Sequence, residues 1–228
     1  RLTPLSGNER LRILHDYYRL GREDEFNFDI RKGKITGTDF RNEICNSSIK
    51  YYPNCFEDEG KVGRVLFIKK YPTYLSDRFF TELTFLPVHS ITSVDVVPVP
   101  KDLTMKMLQK KYLGIESDII KQQRTRNRNN DFSSDISYAT RQKKRDIEEI
   151  MNNVRENDES LYYVSVTMIV MADDRDELES ICKTIDSIAK GAGCAVDTCM
   201  YKQREAVNTT LPIGVRQIET MRTMLTQS

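Results

Sequence analysis

Leu161-Tyr-Tyr-Val-Ser-Val-Thr-Met-Ile-Val-Met-Ala172 is the stretch around which the rest of the chain is read. Its even positions, Tyr162, Val164, Val166, Met168 and Val170, are all apolar, while the odd ones mix Tyr163, Ser165 and Thr167 with Ile169 and Met171. Period-two alternation rich in β-branched residues predicts a strand with one fully buried face. An exposed edge this apolar would invite aggregation, so the strand is expected in the middle of a sheet.

Upstream, Val65-Leu-Phe-Ile68 marks a strand from Arg64 to Tyr71, ending at Pro72. A helix capped by Thr73 or Ser76, bearing Phe79, Phe80, Leu83 and Leu86, is expected up to Pro87. Ile91 to Val99 reads as the next strand, and Pro98 and Pro100 suit only an edge or a strand end. Downstream, Asp173 and Asp174 start a helix carrying Leu178, Ile181, Ile185, Ile188 and Ala189, with Asp176 and Glu177 suiting its dipole. Gly191 and Gly193 end that helix, and Cys194 to Tyr201 reads as the last strand. Two strand–helix–strand units in one sheet predict an α+β fold of the ferredoxin-like split βαβ kind, with Leu161–Ala172 central.

The insert from Lys101 to Ser160 reads as a helical hairpin. Met105, Leu108, Tyr112, Ile115 and Ile119 are spaced 3, 4, 3, 4, a heptad-type seam. Ile136, Ala139, Ile147, Ile150 and Val154 answer on the second arm, with Lys143 interrupting, and Arg126 to Ser134 forms a polar tip. Arms of about 20 residues would project roughly 30 Å. Before the sheet, Ser6-Gly-Asn-Glu9 is a capping box opening a helix that carries Leu11, Leu14 and Tyr18 and stops at Gly21. Arg22 to Asp39 reads as loop with short irregular structure, and Ile49 to Tyr52 as a short strand. The expected organisation is 1–62 lead-in, 63–202 sheet domain with the 101–160 insert, and 203–228 linker.

The 228 residues carry 39% hydrophobic and 30% charged side chains, which excludes a disordered or membrane-spanning class. The net charge is +1. Lys121, Arg124, Arg126, Arg128, Arg141, Lys143, Lys144 and Arg145, against Asp131 and Asp135, make the hairpin block +6 and leave −5 elsewhere. Five cysteines with no C-x-x-C fit reduced thiols in a cytoplasmic protein. The chain begins at Arg1 instead of Met, which fits a piece cut from something longer.

Nucleophile–base pairs, metal sets and phosphate loops are not legible. Gly33-Lys-Ile-Thr36 echoes only the end of a phosphate loop, with Phe28 where its first glycine belongs. His15 and His89 are expected at the surface, and Asp173, Asp174, Asp176 and Glu177 as a helix start in preference to a metal site. Tyr163 alone is a weak platform for stacking RNA bases. The basic tip remains, through Arg124, Arg126, Arg128, Lys143, Lys144 and Arg145. A solvated tip is the plain reading of such a run. The functional ones are nucleic-acid phosphates, an anionic membrane surface or an acidic partner.

The final third, Gln203-Arg-Glu-Ala-Val-Asn-Thr-Thr-Leu-Pro-Ile-Gly-Val215 and Ile218-Glu-Thr-Met-Arg-Thr-Met-Leu-Thr226, resembles the segment before the motor domain of the large conjugative-transfer ATPase of type IV secretion systems. The similarity extends through Gly63 to Pro72, Val94 to Pro100, Gln122-Gln-Arg124 and Asn129 to Ser133, and is strongest for the Gram-positive, integrative-element branch. The resemblance implies a non-catalytic N-terminal domain that docks to channel subunits at the membrane and helps position a hexameric motor. In that family the phosphate loop, and with it ATP and Mg²⁺, would lie beyond Ser228, so no cofactor is expected here. A nucleic-acid-binding module working through 121–145 is the alternative.

Overall fold

A computed structural model describes residues 3–44, 48–72, 75–128, 138–156 and 159–226. The fold is α+β, with helices against an antiparallel sheet. The chain divides into two compact units, 1–95 with 165–220 and 96–164 with 221–228, the division falling inside two strands.

In the first unit, β1 (Ile49–Tyr51), β2 (Phe56–Asp58) and β3 (Lys61–Lys70) form a meander. β5 (Leu161–Ala172) has the predicted bounds and lies against β3, with Val65 opposite Ile169 and Phe67 opposite Thr167. The strand path runs β1-β2-β3-β5-β4, where β4 (His89–Val99) forms the end, as Pro98 within it requires. The short β6 (Ala195–Thr198) pairs with the far half of β3. From Ser165 to Ala172 every residue of β5 is buried, so both faces are covered, not one.

The second cover comes from the segment expected to be a linker. After β6 the chain turns at Tyr201, in the left-handed region at φ 59°, and enters α8 (Gln203–Thr210). Ala206 and Val207 of this helix, with Ile218 beyond it, join Phe56, Val65, Ile169, Met171 and Cys199 in one buried cluster. Ile169 and Met171 are odd positions of β5, which is why the more polar-looking face is also inside. The last strand is shorter than the Cys194–Tyr201 expectation because this turn ends it.

α4 (Asp77–Thr84) is capped by Ser76, whose hydroxyl accepts from the Arg78 amide. α7 (Arg175–Gly191) is capped by Asp174, which accepts from the Glu177 amide, and Leu178, Ile185 and Ala189 bury its inner face. At the front, α1 (Gly7–Tyr18) shows the reciprocal Ser6–Glu9 box but ends at Tyr18, before Gly21. The region read as loop or left unassigned holds a 3₁₀ turn at Glu23–Glu25 and, among the described residues, the helices α2 (Ile30–Thr36) and α3 (Arg41–Ile44). The signal for α2 was present: Asp29 accepts from the Arg31 and Lys32 amides, and Gly37 ends the helix at φ 73°.

Gly63 shows how closely the sheet packs. A Cβ there would stand 2.3 Å from Phe56 Cζ and 2.4 Å from Met171 Sδ.

The second unit holds α5 (Lys101–Arg128) and α6 (Tyr138–Glu156), which pack against each other. At about 1.5 Å per residue, the 28 residues of α5 run roughly 40 Å, longer than the expected arm. Thr104 is fully buried at its start, its amide donating to the Pro100 carbonyl. β7 (Arg222–Leu225) pairs with the first residues of β5, from Leu161 opposite Leu225 to Val164 opposite Arg222. Residues 203–228 therefore supply elements to both units.

Candidate functional site

The hairpin is held by the seam that the 3–4 spacing predicts on α5. Leu108 is buried, and Met105, Tyr112, Ile115 and Ile119 are half-buried. On α6 the buried or half-buried residues are Thr140, Lys144, Ile147, Ile150, Met151, Asn153 and Val154. Lys144, not Lys143, is therefore the charged residue in the seam, and Ala139 is exposed. Ile136 and the tip residues 129–134 lie outside the described residues.

Lys144 is built into the hairpin. Its Nζ lies 3.1 Å from Glu116 Oε1 and 5.0 Å from the centre of the Tyr112 ring. Tyr112 and then Glu116 hold the ammonium above the usual lysine range. Lys144, followed by Tyr112, lowers the Glu116 carboxyl in return. The charge in the seam thus has an acceptor and a ring face, and it aligns the two helices. It is not a surface cation awaiting a ligand.

The other predicted positions differ. Arg124 and Arg128 are exposed on the last turns of α5, and Lys143 and Arg145 are exposed on the first turns of α6. Arg126 falls within α5. Cations near the C-terminus of α5 suit its dipole. Lys143 and Arg145 lie beyond the first turn of α6, where the helix dipole has little hold on them. Chemically, guanidinium and ammonium groups gathered on a solvent-facing hairpin recognise carboxylate or phosphate oxygens. Tyr138, 79% exposed, opens α6 ahead of Lys143 and Arg145, an aromatic that the sequence reading did not single out.

The remaining candidates are placed as follows. Gly33 and Lys34 lie inside α2, where a Cβ on Gly33 would meet Phe28 Cζ at 2.6 Å. That glycine makes room for a ring, and its setting is not the strand–loop–helix of a phosphate cradle. His15, expected at the surface, is 1% exposed, with Nδ1 3.1 Å from Asp16 Oδ1 and its ring edge against Phe26. One side chain on a capped helix gave no signal of that burial, which includes packing against Phe26 beyond the helix. His89 is exposed, 4.0 Å from Glu23. Asp173 and Asp174 serve the helix start: the Asp173 amide donates to Glu177 Oε2 at 2.9 Å. Tyr163 donates its hydroxyl to Met107 Sδ at 3.2 Å and is tied to α5.

The sequence reading also missed Gln203. It is 2% exposed and bonds the backbone of β3, accepting from the Val65 amide at 2.9 Å. Comparison with known proteins adds no family: no protein-family model matches the chain, and no curated protein does.

Proposed function

We propose that this chain is a non-catalytic docking and assembly domain of a type IV secretion conjugation ATPase, working through the basic hairpin. The observation that carries the docking role is the division of labour among the hairpin cations. Lys144 is spent on aligning the helices, whereas Arg124, Arg128, Lys143 and Arg145 face solvent. A rigid arm that presents Arg and Lys suits an acidic surface on a channel subunit, where bidentate pairs give geometry as well as attraction. The attribution to conjugation rests on the sequence resemblance. So do the hexameric assembly, the Gram-positive setting, a cytoplasmic place against the membrane, and a motor binding ATP and Mg²⁺ further along the protein. Among the described residues no helix is long and apolar enough to cross a membrane.

The scaffold belongs to the same proposal as a ferredoxin-like split βαβ sheet. Its support is the order β6-β3-β5-β4, with α4 between β3 and β4 in sequence and α7 between β5 and β6. Antiparallel pairing of β3 with both β5 and β6 agrees with it.

Nucleic-acid binding is the second reading, favoured by exposed Tyr138 on the same helix as Lys143 and Arg145, since stacking and charge together hold single strands. One variant separates the two. Arg124, Arg126, Arg128, Lys143 and Arg145 are changed to Gln, and Lys144 is kept because it is structural. The expected outcome is an unchanged melting curve, loss of co-purification with membrane channel subunits and weakened conjugative transfer. Strong DNA binding by the parent that falls log-linearly with salt and vanishes in the variant promotes the second reading. Undiminished transfer and co-purification refute both.

A further inference from the structure

A groove of about 730 Å³ opens on the first unit, between α1 and α2, far in sequence from the hairpin. Leu11, Phe28, Ile30 and Phe40 line it, and Arg10 and Lys34 stand exposed on the same lining. From this groove we infer a docking site for an amphipathic helix of a partner protein, with apolar residues on one face and carboxylates beside them.

Three features select that occupant. The volume is of the size that takes several apolar side chains, but Lys34, Thr38, Asp39 and Phe40 on its lining are all exposed. A small molecule here would be left half in water, whereas pockets for such ligands bury most of the ligand surface. A macromolecular segment brings its own cover.

The walls decide its conformation. Gly7, Arg10 and Leu11 come from one face of α1, and Ile30, Gly33 and Lys34 from one face of α2, each set spaced i, i+3, i+4. Backbone groups inside those helices are already bonded to one another, so the walls offer no strand edge to pair with. The occupant therefore arrives with its own backbone satisfied, which means a helix lying in the groove. Small residues allow the approach: a Cβ on Gly7 would meet Ile30 Cδ1 at 2.5 Å, so α1 and the start of α2 are already in contact below the opening.

Charge sets the chemistry of the flanks. Arg10 and Lys34 present two cations, and the carboxylate on the lining, Asp39, turns one oxygen to the Arg41 amide at 3.0 Å. An acidic helix is attracted and a basic one repelled, the arrangement that selects among helices of similar apolar faces. Phe40, 45% exposed, is the aromatic anchor that such a helix covers.

The test uses the 228-residue chain and three synthetic helical peptides. One carries Leu at i, i+3, i+4 and i+7 with Glu elsewhere on its flanks, a second replaces Glu by Lys, and a third keeps the Glu content with the Leu positions scrambled. Amide chemical shifts are followed on titration. The first peptide is expected to shift α1 and α2 resonances saturably, and the scrambled one to bind at least about tenfold more weakly. Arg10→Glu with Lys34→Glu, two exposed sites, should reverse the preference so that the Lys peptide binds about tenfold better than to the parent. Phe40→Ser should weaken both. The hairpin Gln variant should bind the first peptide as the parent does, so failure here and failure of the hairpin reading are told apart. Absence of saturable binding, equal binding of the scrambled peptide, or indifference to the charge reversal overturns the inference. Loss of binding in the hairpin variant alone overturns it too and moves the acidic helix to the tip.

Discussion

Replacing Gln203 by Leu tests the idea that α8 completes the sheet. β2 pairs with β3 over residues 61–63 and β6 pairs with it over 66–70, which leaves Val65 in the gap between two partner strands. The Gln203 side chain occupies that gap. Its Oε1 accepts from the Val65 amide at 2.9 Å, and its Nε2 donates to the Cys199 carbonyl at 2.9 Å. Leucine keeps most of the volume, so the cavity contribution is small and the polar loss dominates. The two carbonyls nearby keep other donors, since Cys199 N donates to Val65 O at 3.0 Å and Lys202 N to Cys199 O at 3.3 Å. The Val65 amide keeps none of that help, and Val65 is 0% exposed.

A buried, orphaned N–H costs about 1–3 kcal/mol, and the lost bond to Cys199 adds roughly 1 kcal/mol, so the expected destabilisation is about 2–4 kcal/mol. That is a large share of the ~5–15 kcal/mol typical of a folded domain, but it leaves the fold populated. For a chain of this size it corresponds to a fall in Tm of roughly 5–15 °C. Urea melts followed by circular dichroism give the free energy, and hydrogen exchange at the Val65 amide locates it. Loss of protection at Val65 beyond the global change is the specific signature. A variant within about 0.5 kcal/mol of the parent, with the Val65 amide still protected, refutes the role assigned to Gln203.

Gly63→Ala should destabilise by about 1–3 kcal/mol through overpacking against Phe56 and Met171, with neither able to move far in a buried cluster; thermal melts check it. Cys199 is pushed up to about 11, first by burial and then by Asp197, against 9.0 for an ordinary thiol. The folded chain therefore holds that proton while the unfolded chain loses it. Stability from this group is complete below pH 9, falls as pH rises towards 11, and Cys199→Ala should flatten urea-melt stability across that window.

Local chemistry was readable from the residues alone. The bounds of β5, the Ser6–Glu9 and Ser76 caps, the Asp174 start of α7, the edge position of β4 and the Met105–Ile119 seam all follow from period, capping and proline geometry, which act between near neighbours. Of the candidate site, the exposed arginines and Lys143 were legible because a dense run of cations rarely goes inside. That Lys144 is not one of them was not legible. A shift of one residue on a helix turns a side chain by about 100°, and only the facing Tyr112 and Glu116 say which lysine is in the seam.

The same limit explains α8, the groove and His15. Residues 203–210 have a modest apolar pattern, and nothing nearby in sequence shows that Gln203 meets Val65. Leu11 and Phe28 read as ordinary residues of a helix and a loop until α1 and α2 come together around a groove. Sequence determined those helices and strands that a cap or a sustained hydrophobic period marks, because these are local free energies, whereas α8 and β7 were hidden in a segment read as linker. Tertiary structure alone decided which faces meet, which charge is consumed internally and which polar groups are buried. Those outcomes depend on contacts between different elements, from His15 with Phe26 to Val65 with Gln203, and such contacts leave no periodic trace in either partner.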